Sequence, residues 1–352
     1  MRIAHIAPIN FNIPQGRSGP ARVCYNLNEA LYKINPQILF YGCENSKASG
    51  ELRYLFPVEL NSYEPFNNAT GTDKGKFLLQ HITNAYAHKA EIDIFQTHAI
   101  DFALPIAKTH PDKPTVITLH RPINSDLEFI LSKFNGQHIH FVLISQTQAE
   151  TFSKMASNYT VIPNGVEVDE IPFSLEKEDF FLHVGRLEEN KGADLAIQAC
   201  LQAGVKLVLV GKQRAGNEAS ETYFAERIQP FLDNPLITYI PEVNHYELYN
   251  YYAKARGFIF PLRDPHQEAF GLVSVEAMAT GTPAIALDNS LMREVIIDGK
   301  TGSLAKDLDG LVDAIQKVDQ ISPQDCRDHV VNNFSRDTMA RGYFELYQRL
   351  VN

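Results

Sequence analysis

Short β-type apolar runs alternate with stretches of helical periodicity along almost the whole chain, in two successive series. Such alternation leaves few architectures open. Strands separated by helices pair in parallel, and a parallel sheet needs helices on both faces. Strand-like runs lie at residues 3–7, 38–42, 92–97, 115–119, 140–144 and 160–162, then at 180–184, 206–210, 237–239, 257–260 and 284–287. Helical patterns fill the intervals. In the first of them Val23, Leu27, Ala30, Leu31 and Ile34 share one face, and Pro20 suits the opening turn. Segment 163–173, with two prolines and a glycine, reads as a linker, and the polar stretch 44–76 as an irregular insertion. The expected fold class is α/β: two doubly wound Rossmann-like domains facing across a cleft, with ligand at the carboxyl ends of the strands.

A length of 352 residues suits two domains, and a formal net charge of −10 argues against a non-specific nucleic-acid binder. No apolar stretch reaches the length of a spanning helix, and the opening MRIAHIAPINF enters a strand without a signal peptide. Cys24, Cys43, Cys200 and Cys326 are scattered with no C-x-x-C pair, as expected of buried thiols in a reducing compartment. A cytoplasmic location follows as the expectation.

The most informative segment is EAFGLVSVEAMATGTP at 268–283. It sets two carboxylates, Glu268 and Glu276, on either side of a turn that opens a short helix. Leu272, Val275 and Ala279 recur at helical spacing, Gly281 is a C-terminal stop and Pro283 prevents continuation. Glu268 then lies in the loop and Glu276 on the second turn, with the free N–H groups of the helix start between them. An anion flanked by two carboxylates should carry neutral hydroxyls on both sides, which describes a nucleotide-sugar.

A second anion-binding candidate is HVGRLEENKG at 183–192, which leaves a strand at Gly185 and sets Arg186 and Lys191 on a short loop. Arg forks phosphate oxygens and Lys supplies a point charge. Both are expected on a loop, so that replacing them would slow transfer and change fold stability little. The loop QGRSGPAR at 15–22 offers Gly16 and Gly19 for close backbone approach, with Arg17 and Ser18 beside them on the acceptor side. It lacks the dinucleotide fingerprint, so no nicotinamide or flavin is expected. His98 and His120 each end a strand and are candidates for contact with a substrate hydroxyl, His120 the stronger and His98 on the acceptor side. His138 and His140 read as structural. Asp307 and Asp309 form an Asp-x-Asp triplet, but in a polar turn with no strand end to aim it, and no metal is expected.

Together these residues resemble the retaining GT-B glycosyltransferases of family 4, over nearly the whole chain. The resemblance rests on the glycine-containing loop after strand one, His120, IPNGV at 162–166, GRLEENKG, EAFGLVSVEAMATGTP, REVIIDGKTG at 293–302 and FSRDTMARGYFELY at 334–347. It implies an acceptor-side domain at 1–165, a nucleotide-sugar-binding domain at 166–333, and a helix at 334–352 that packs back on the first domain. It implies that Arg186 and Lys191 hold the donor diphosphate, Glu276 the ribose and Glu268 the transferred sugar. Backbone N–H groups around Ala269, Phe270, Gly271 and Leu272 would contact sugar and phosphate, Gly185 would let the diphosphate approach, and Val243 would lie by the base. His120 would sit beside the sugar at the reaction centre.

Two departures stand out. Glu-Ala-Phe-Gly replaces the more usual Glu-Pro-Phe-Gly, and Asn289-Ser290-Leu291 replaces a Gly-Gly pair. The implied reaction is sugar transfer with retention of configuration, without a metal or other cofactor. The donor would be a UDP- or GDP-sugar, and the acceptor a growing glycan or a lipid-linked sugar met peripherally at the inner face of a membrane. A phosphorolytic or epimerising enzyme acting on nucleotide-sugars and a non-catalytic nucleotide-sugar-binding regulator are the alternatives. A glycoside hydrolase, which also needs two carboxylates, has no use for the Arg/Lys pair.

Overall fold

The computed structural model describes residues 1–11, 13–14, 19–62, 71–134, 136–214 and 216–352. They form two compact units, residues 1–166 together with 336–352, and residues 167–335.

In the first unit seven strands make one sheet: β1 (Ile3–Ile6), β2 (Ile38–Gly42), β3 (Glu51–Tyr54), β4 (Ile94–Thr97), β5 (Thr115–Leu119), β6 (Ile139–Leu143) and β7 (Tyr159–Val161). Their order is β3-β2-β1-β4-β5-β6-β7, all parallel. Helices α1 (Gly19–Ile34), α2 (Gly71–Ala87), α3 (Ile100–Lys108), α4 (Ser125–Phe134) and α5 (Gln146–Phe152) connect them. Strand order reverses at β1 and β4, so a crevice opens beyond their carboxyl ends. Ala4, Ile6, Phe95, Ile117 and Phe141 build the core on one face against Ile82, Leu104 and Leu131 of the helices.

The stretch 44–76, expected from its polarity to be an irregular insertion, is in part regular, and its residues 63–70 lie outside those described. It contains β3, paired Leu39 to Glu51 through Gly42 to Tyr54, and the start of α2. As an edge strand β3 carries charge where an inner strand carries apolar side chains. Arg53 binds the carboxylates of Glu51 and Glu91, and Glu91 also takes Arg2. Charged edges of this kind prevent further strand pairing, and they erase the hydrophobic signal. Within α1, Ile34 is exposed, and Cys24 and Asn28 occupy the buried face instead.

The second unit repeats the plan with β8 (Glu178–Val184), β9 (Leu207–Val210), β10 (Ile237–Ile240), β11 (Ala255–Ile259), β12 (Ala284–Leu287) and β13 (Gly302–Ala305). Their order is β10-β9-β8-β11-β12-β13, again parallel. The helices are α6 (Ala193–Ala203), α7 (Glu218–Tyr223), α8 (His245–Lys254), α9 (Leu272–Ala279), α10 (Ser290–Val295), α11 (Leu308–Lys317) and α12 (Pro323–Asn333). Here the reversal falls between β8 and β11. β13 was not anticipated; its Gly302 lies where a Cβ would meet the Ala284 carbonyl at 1.9 Å, and its other residues alternate only weakly.

Helix α9 is held at its C-terminus by cations. Arg327 donates to the carbonyls of Val168, Ile171 and Ala279, and Lys177 to those of Ala253 and Thr280 and to Thr282 Oγ1. Its last carbonyls are thereby satisfied, and positive charge sits at the negative end of the helix dipole. Gly281, in the left-handed region at φ 81°, ends it as expected.

The C-terminal helix α13 (Arg336–Val351) lies in the first unit, against α1. Polar groups fix its register there. Tyr347 Oη donates to Gln96 Oε1 at 2.9 Å, Gln96 Nε2 donates to Thr118 Oγ1 at 2.9 Å, and that hydroxyl meets Tyr343 Oη at 2.7 Å. All four residues are buried. A buried network in which each member is satisfied specifies one docking mode of the helix.

Candidate donor and histidine sites

In the second unit the loops that leave β8 and β11 meet at the strand-order reversal. The β8 loop runs through Gly185 and Arg186 into a short turn, Glu189–Lys191, and then α6. Its backbone is fixed by close packing. Gly192 adopts φ 72°, and a Cβ there would fall 2.2 Å from the carbonyl oxygen of Pro261. Asn190 receives the backbone N–H of Asp264 at 2.7 Å. Arg263 Nη2 donates to both oxygens of Asp194, at 2.8 and 2.9 Å, and Tyr223 Oη donates to the same carboxylate at 2.7 Å. Burial pushes the Asp194 carboxyl up, but these donors hold it below its ordinary range.

Lys191 and Glu268 face each other across this junction as a direct ion pair, their side chains only 11% and 21% exposed. Lys191 Nζ also lies 5.7 Å from the centre of the Phe260 ring. The other Glu268 oxygen receives the N–H groups of Ala269 at 3.1 Å and Phe270 at 3.5 Å. Burial drives the Glu268 carboxyl upward, yet the Lys191 ammonium and these N–H donors together keep it below the usual carboxylate range. Both cations lie on the loop as expected, but Lys191 is enclosed there. Its carbon stem is enclosed where the two loops converge, and the ammonium is held by a carboxylate the sequence places 77 residues away. Arg186 is exposed, at 57%, and pairs with Glu188 at 3.0 Å.

Gly271, at φ 82°, opens α9, and Ala269 and Phe270 are buried ahead of it, Phe270 edge-on to Phe334. Leu272 is half-buried, and Glu276 is buried in the body of α9. Val243 is half-buried between β10 and α8. Three further groups escaped notice in the sequence. Gly211 ends β9 at φ 149°, where a Cβ would lie 1.8 Å from the Gly185 carbonyl. His183 donates from Nδ1 to the Ile259 carbonyl at 2.9 Å, and its buried Nε2 has no partner among the described residues. The Ser274 hydroxyl, in the first turn of α9, is likewise buried without one. Each falls at a strand end or first helical turn, the positions at which a parallel sheet presents groups to ligand.

Asp307 does follow a strand end, that of β13, contrary to the sequence reading. Its carboxylate is occupied as the N-cap of α11, receiving the Gly310 N–H at 2.9 Å.

In the first unit, Gly19 begins α1, while Gly16, Arg17 and Ser18 lie outside the described residues. His98 and His120 follow β4 and β5 and line a cavity of about 260 Å³ with Pro8, Phe102, Asp101 and Arg121. They do not act as separate strand-end histidines. His98 Nδ1 meets His120 Nε2 at 2.7 Å, and His98 Nε2 meets Nε2 of a third histidine, His5, at 2.9 Å. His5 was missed because it sits inside β1, where a polar residue gives no motif. Burial holds His5 and His120 down at about 4, and burial together with its two neighbours holds His98 well below its ordinary value. His138 and His140 make single hydrogen bonds, to the Ala107 carbonyl and Thr160 Oγ1.

Comparison with known proteins adds context. Residues 167–330 match the family model for glycosyl transferases group 1. The chain is 26% identical over 215 residues to the glycogen synthase of Mycobacterium tuberculosis, covering 56% of this chain and 50% of that protein. It thus spans about half the length of the curated relatives it matches. The fold is similar to sucrose-phosphate synthase of Thermosynechococcus elongatus, with a TM-score of 0.77, 20% identity and 99% of each chain covered. It is also similar to Alr3699/HepE of Anabaena in complex with UDP and glucose, with a TM-score of 0.72, 16% identity, and 99% of this chain and 100% of that one covered.

Proposed function

We propose that the chain, whose residues 167–330 match the glycosyl transferases group 1 model on a fold of two parallel α/β sheets of the GT-B kind, belongs to that family and transfers a sugar from a nucleotide-sugar to an acceptor hydroxyl with retention of configuration. The observation that carries this reading is the Lys191–Glu268 pair set immediately ahead of the glycine-opened N-terminus of α9. An ammonium and free helical N–H groups beside an ionised carboxylate suit an anion whose neighbour bears hydroxyls.

In this reading Lys191 and Arg186 neutralise the donor diphosphate as the glycosidic bond breaks, and Gly185 and Gly211 leave room for it. Glu268 releases Lys191 to the phosphates and accepts from sugar hydroxyls, which its depressed proton affinity favours. Glu276 accepts from the ribose. The N–H groups of Gly271 and Leu272 follow the diphosphate while those of Ala269 and Phe270 hold Glu268 in place, Val243 borders the base, and His120 borders the reacting sugar. Because two cations and a helix terminus supply the positive charge, no divalent ion is required. The relatives favour UDP over GDP, since Alr3699/HepE is described with UDP and with UDP-glucose. The acceptor is a hydroxyl-bearing glycan or lipid-linked sugar.

The test is a thermal-shift panel of UDP-, GDP- and ADP-sugars in EDTA, followed by NMR of the anomeric centre formed on a mixture of glycoside acceptors. A metal-independent shift with a UDP-sugar and a product of unchanged configuration is expected. An inverted product, or binding only with magnesium or manganese, sinks the assignment. Donor binding without transfer to any acceptor favours the regulator instead.

A further inference from the structure

We propose that the three histidines of the first unit form a one-way hydrogen-bond relay, ordered by Asn28, that leaves Nδ1 of His120 as a bare acceptor for a ligand hydroxyl. The order follows from the far end of the chain. Asn28 Nδ2 lies 2.8 Å from the Ser49 carbonyl and 3.2 Å from Glu29 Oε1, both of which only accept in this network. The Glu29 carboxylate is itself surrounded by donors, the Ser49 N–H at 2.7 Å and the Ser49 hydroxyl at 2.8 Å. The amide of Asn28 therefore has one orientation, with Oδ1 toward His5 Nδ1 at 3.0 Å.

From that fixed acceptor the proton positions propagate. His5 must carry its proton on Nδ1, so its Nε2 accepts. His98 then donates from Nε2 to His5, which leaves His98 Nδ1 to accept. His120 donates from Nε2 across the 2.7 Å contact with His98 Nδ1. Its own Nδ1 has no hydrogen-bond partner among the described residues and belongs to a side chain on the cavity wall. The Cys24 thiol, 3.5 Å from His5 Nε2, adds a weak donor to an atom that already accepts and does not change the order. Burial keeps the chain neutral, and an added proton would place imidazolium beside two further rings.

Asn28, His5 and His98 are thus positioning residues. Their effect is that His120 recognises a group able to donate, such as a sugar hydroxyl, and discriminates against an ether or a fluorine in the same place. The identity of that hydroxyl as a sugar's rests on the proposed transfer reaction; the relay itself does not.

His5, Cys24 and His98 also present three ligand atoms within 4.8 Å of one another. The 2.9 Å between the two nitrogens is a hydrogen-bond separation. Two imidazoles on a tetrahedral zinc ion stand roughly 3.3 Å apart, given bonds near 2.0–2.1 Å.

The test is the nitrogen NMR spectrum of the ligand-free, histidine-labelled protein at neutral pH, where protonated and bare ring nitrogens resonate far apart. The expected result is a bare Nδ1 on His120 and protons on His5 Nδ1, His98 Nε2 and His120 Nε2. In Asn28→Asp a carboxylate faces His5 Nδ1, favours an additional proton from solvent on His5 and reverses every link, so that His120 Nδ1 becomes protonated. A merely structural Asn28 would leave the tautomers unchanged. A protonated Nδ1 in the wild-type protein, an unaltered His120 in a folded Asn28→Asp variant whose new carboxyl is ionised by its carbon shift, or stoichiometric zinc uptake that shifts His5 and His98 together would each overturn the relay. If the variant does not fold, the wild-type spectrum alone decides. A wrong tautomer leaves the transfer reaction standing, whereas inactivity toward every sugar donor beside the expected tautomer overturns the reaction and leaves the relay.

Discussion

Lys191 and Arg186 were legible in the sequence as one basic pair, yet they differ in kind. Lys191 is enclosed and ion-paired to Glu268, so Lys191→Ala strands a largely buried carboxylate. The expected outcome is a loss of stability of about 1–3 kcal/mol in urea denaturation together with loss of donor binding, since an unpaired buried charge is costly. Arg186→Ala should leave the urea midpoint unchanged and slow turnover by ~100-fold, about 2.7 kcal/mol of transition-state stabilisation. Equal stability of the two variants would show that the ion pair contributes nothing to the fold. The distinction was invisible beforehand because spacing along one loop says nothing of a partner 77 residues away. His5 was hidden for a related reason: a lone histidine within an apolar strand has no motif, and only the parallel register sets its strand beside β4, which His98 follows.

At the scale of elements, the strands with apolar runs were readable and those without were not. β5 and β12 fall on their expected residues, while β3 and β13, an ion-paired edge and a glycine-led strand, were lost in polar sequence. Loop shape was readable only where glycine marks it. Gly192→Ala should misplace the loop that carries Lys191, because the added carbon would meet the Pro261 carbonyl, a backbone atom that cannot rotate away. Gly271→Ala should be milder, since the nearest atom is the terminal methyl of Met292, and its cost is that of a left-handed conformation, about 1–2 kcal/mol. Circular dichroism melts of both variants, with UDP affinity measured alongside, would check this ordering; a Gly192→Ala protein that binds UDP normally contradicts it.

For the whole molecule, the two-unit α/β plan follows from the double series of alternating elements, and the return of α13 to the first unit rests on Gln96, Thr118, Tyr343 and Tyr347. Stability should also carry a common pH signature. Burial holds His5, His81, His120 and His183 at about 4 in the folded chain. The unfolded chain takes up those protons near 6.5, so it binds more of them between the two values. Stability is accordingly full above about 6.5 and falls as pH drops through about 4. Urea midpoints at pH 7 and pH 5 should show the loss, and identical midpoints would contradict it. The central claim is that a nucleoside diphosphate binds between the loops that follow β8 and β11 through Lys191, Arg186 and Glu276. Titration calorimetry with UDP in EDTA tests it most directly. The account predicts one metal-independent site on the wild-type protein, weakened by about 1.5–3 kcal/mol in Glu276→Ala through loss of charge-assisted hydrogen bonds, and retained in Glu268→Ala. No binding without a divalent ion, or affinity lost in Glu268→Ala while Glu276→Ala keeps it, would contradict it.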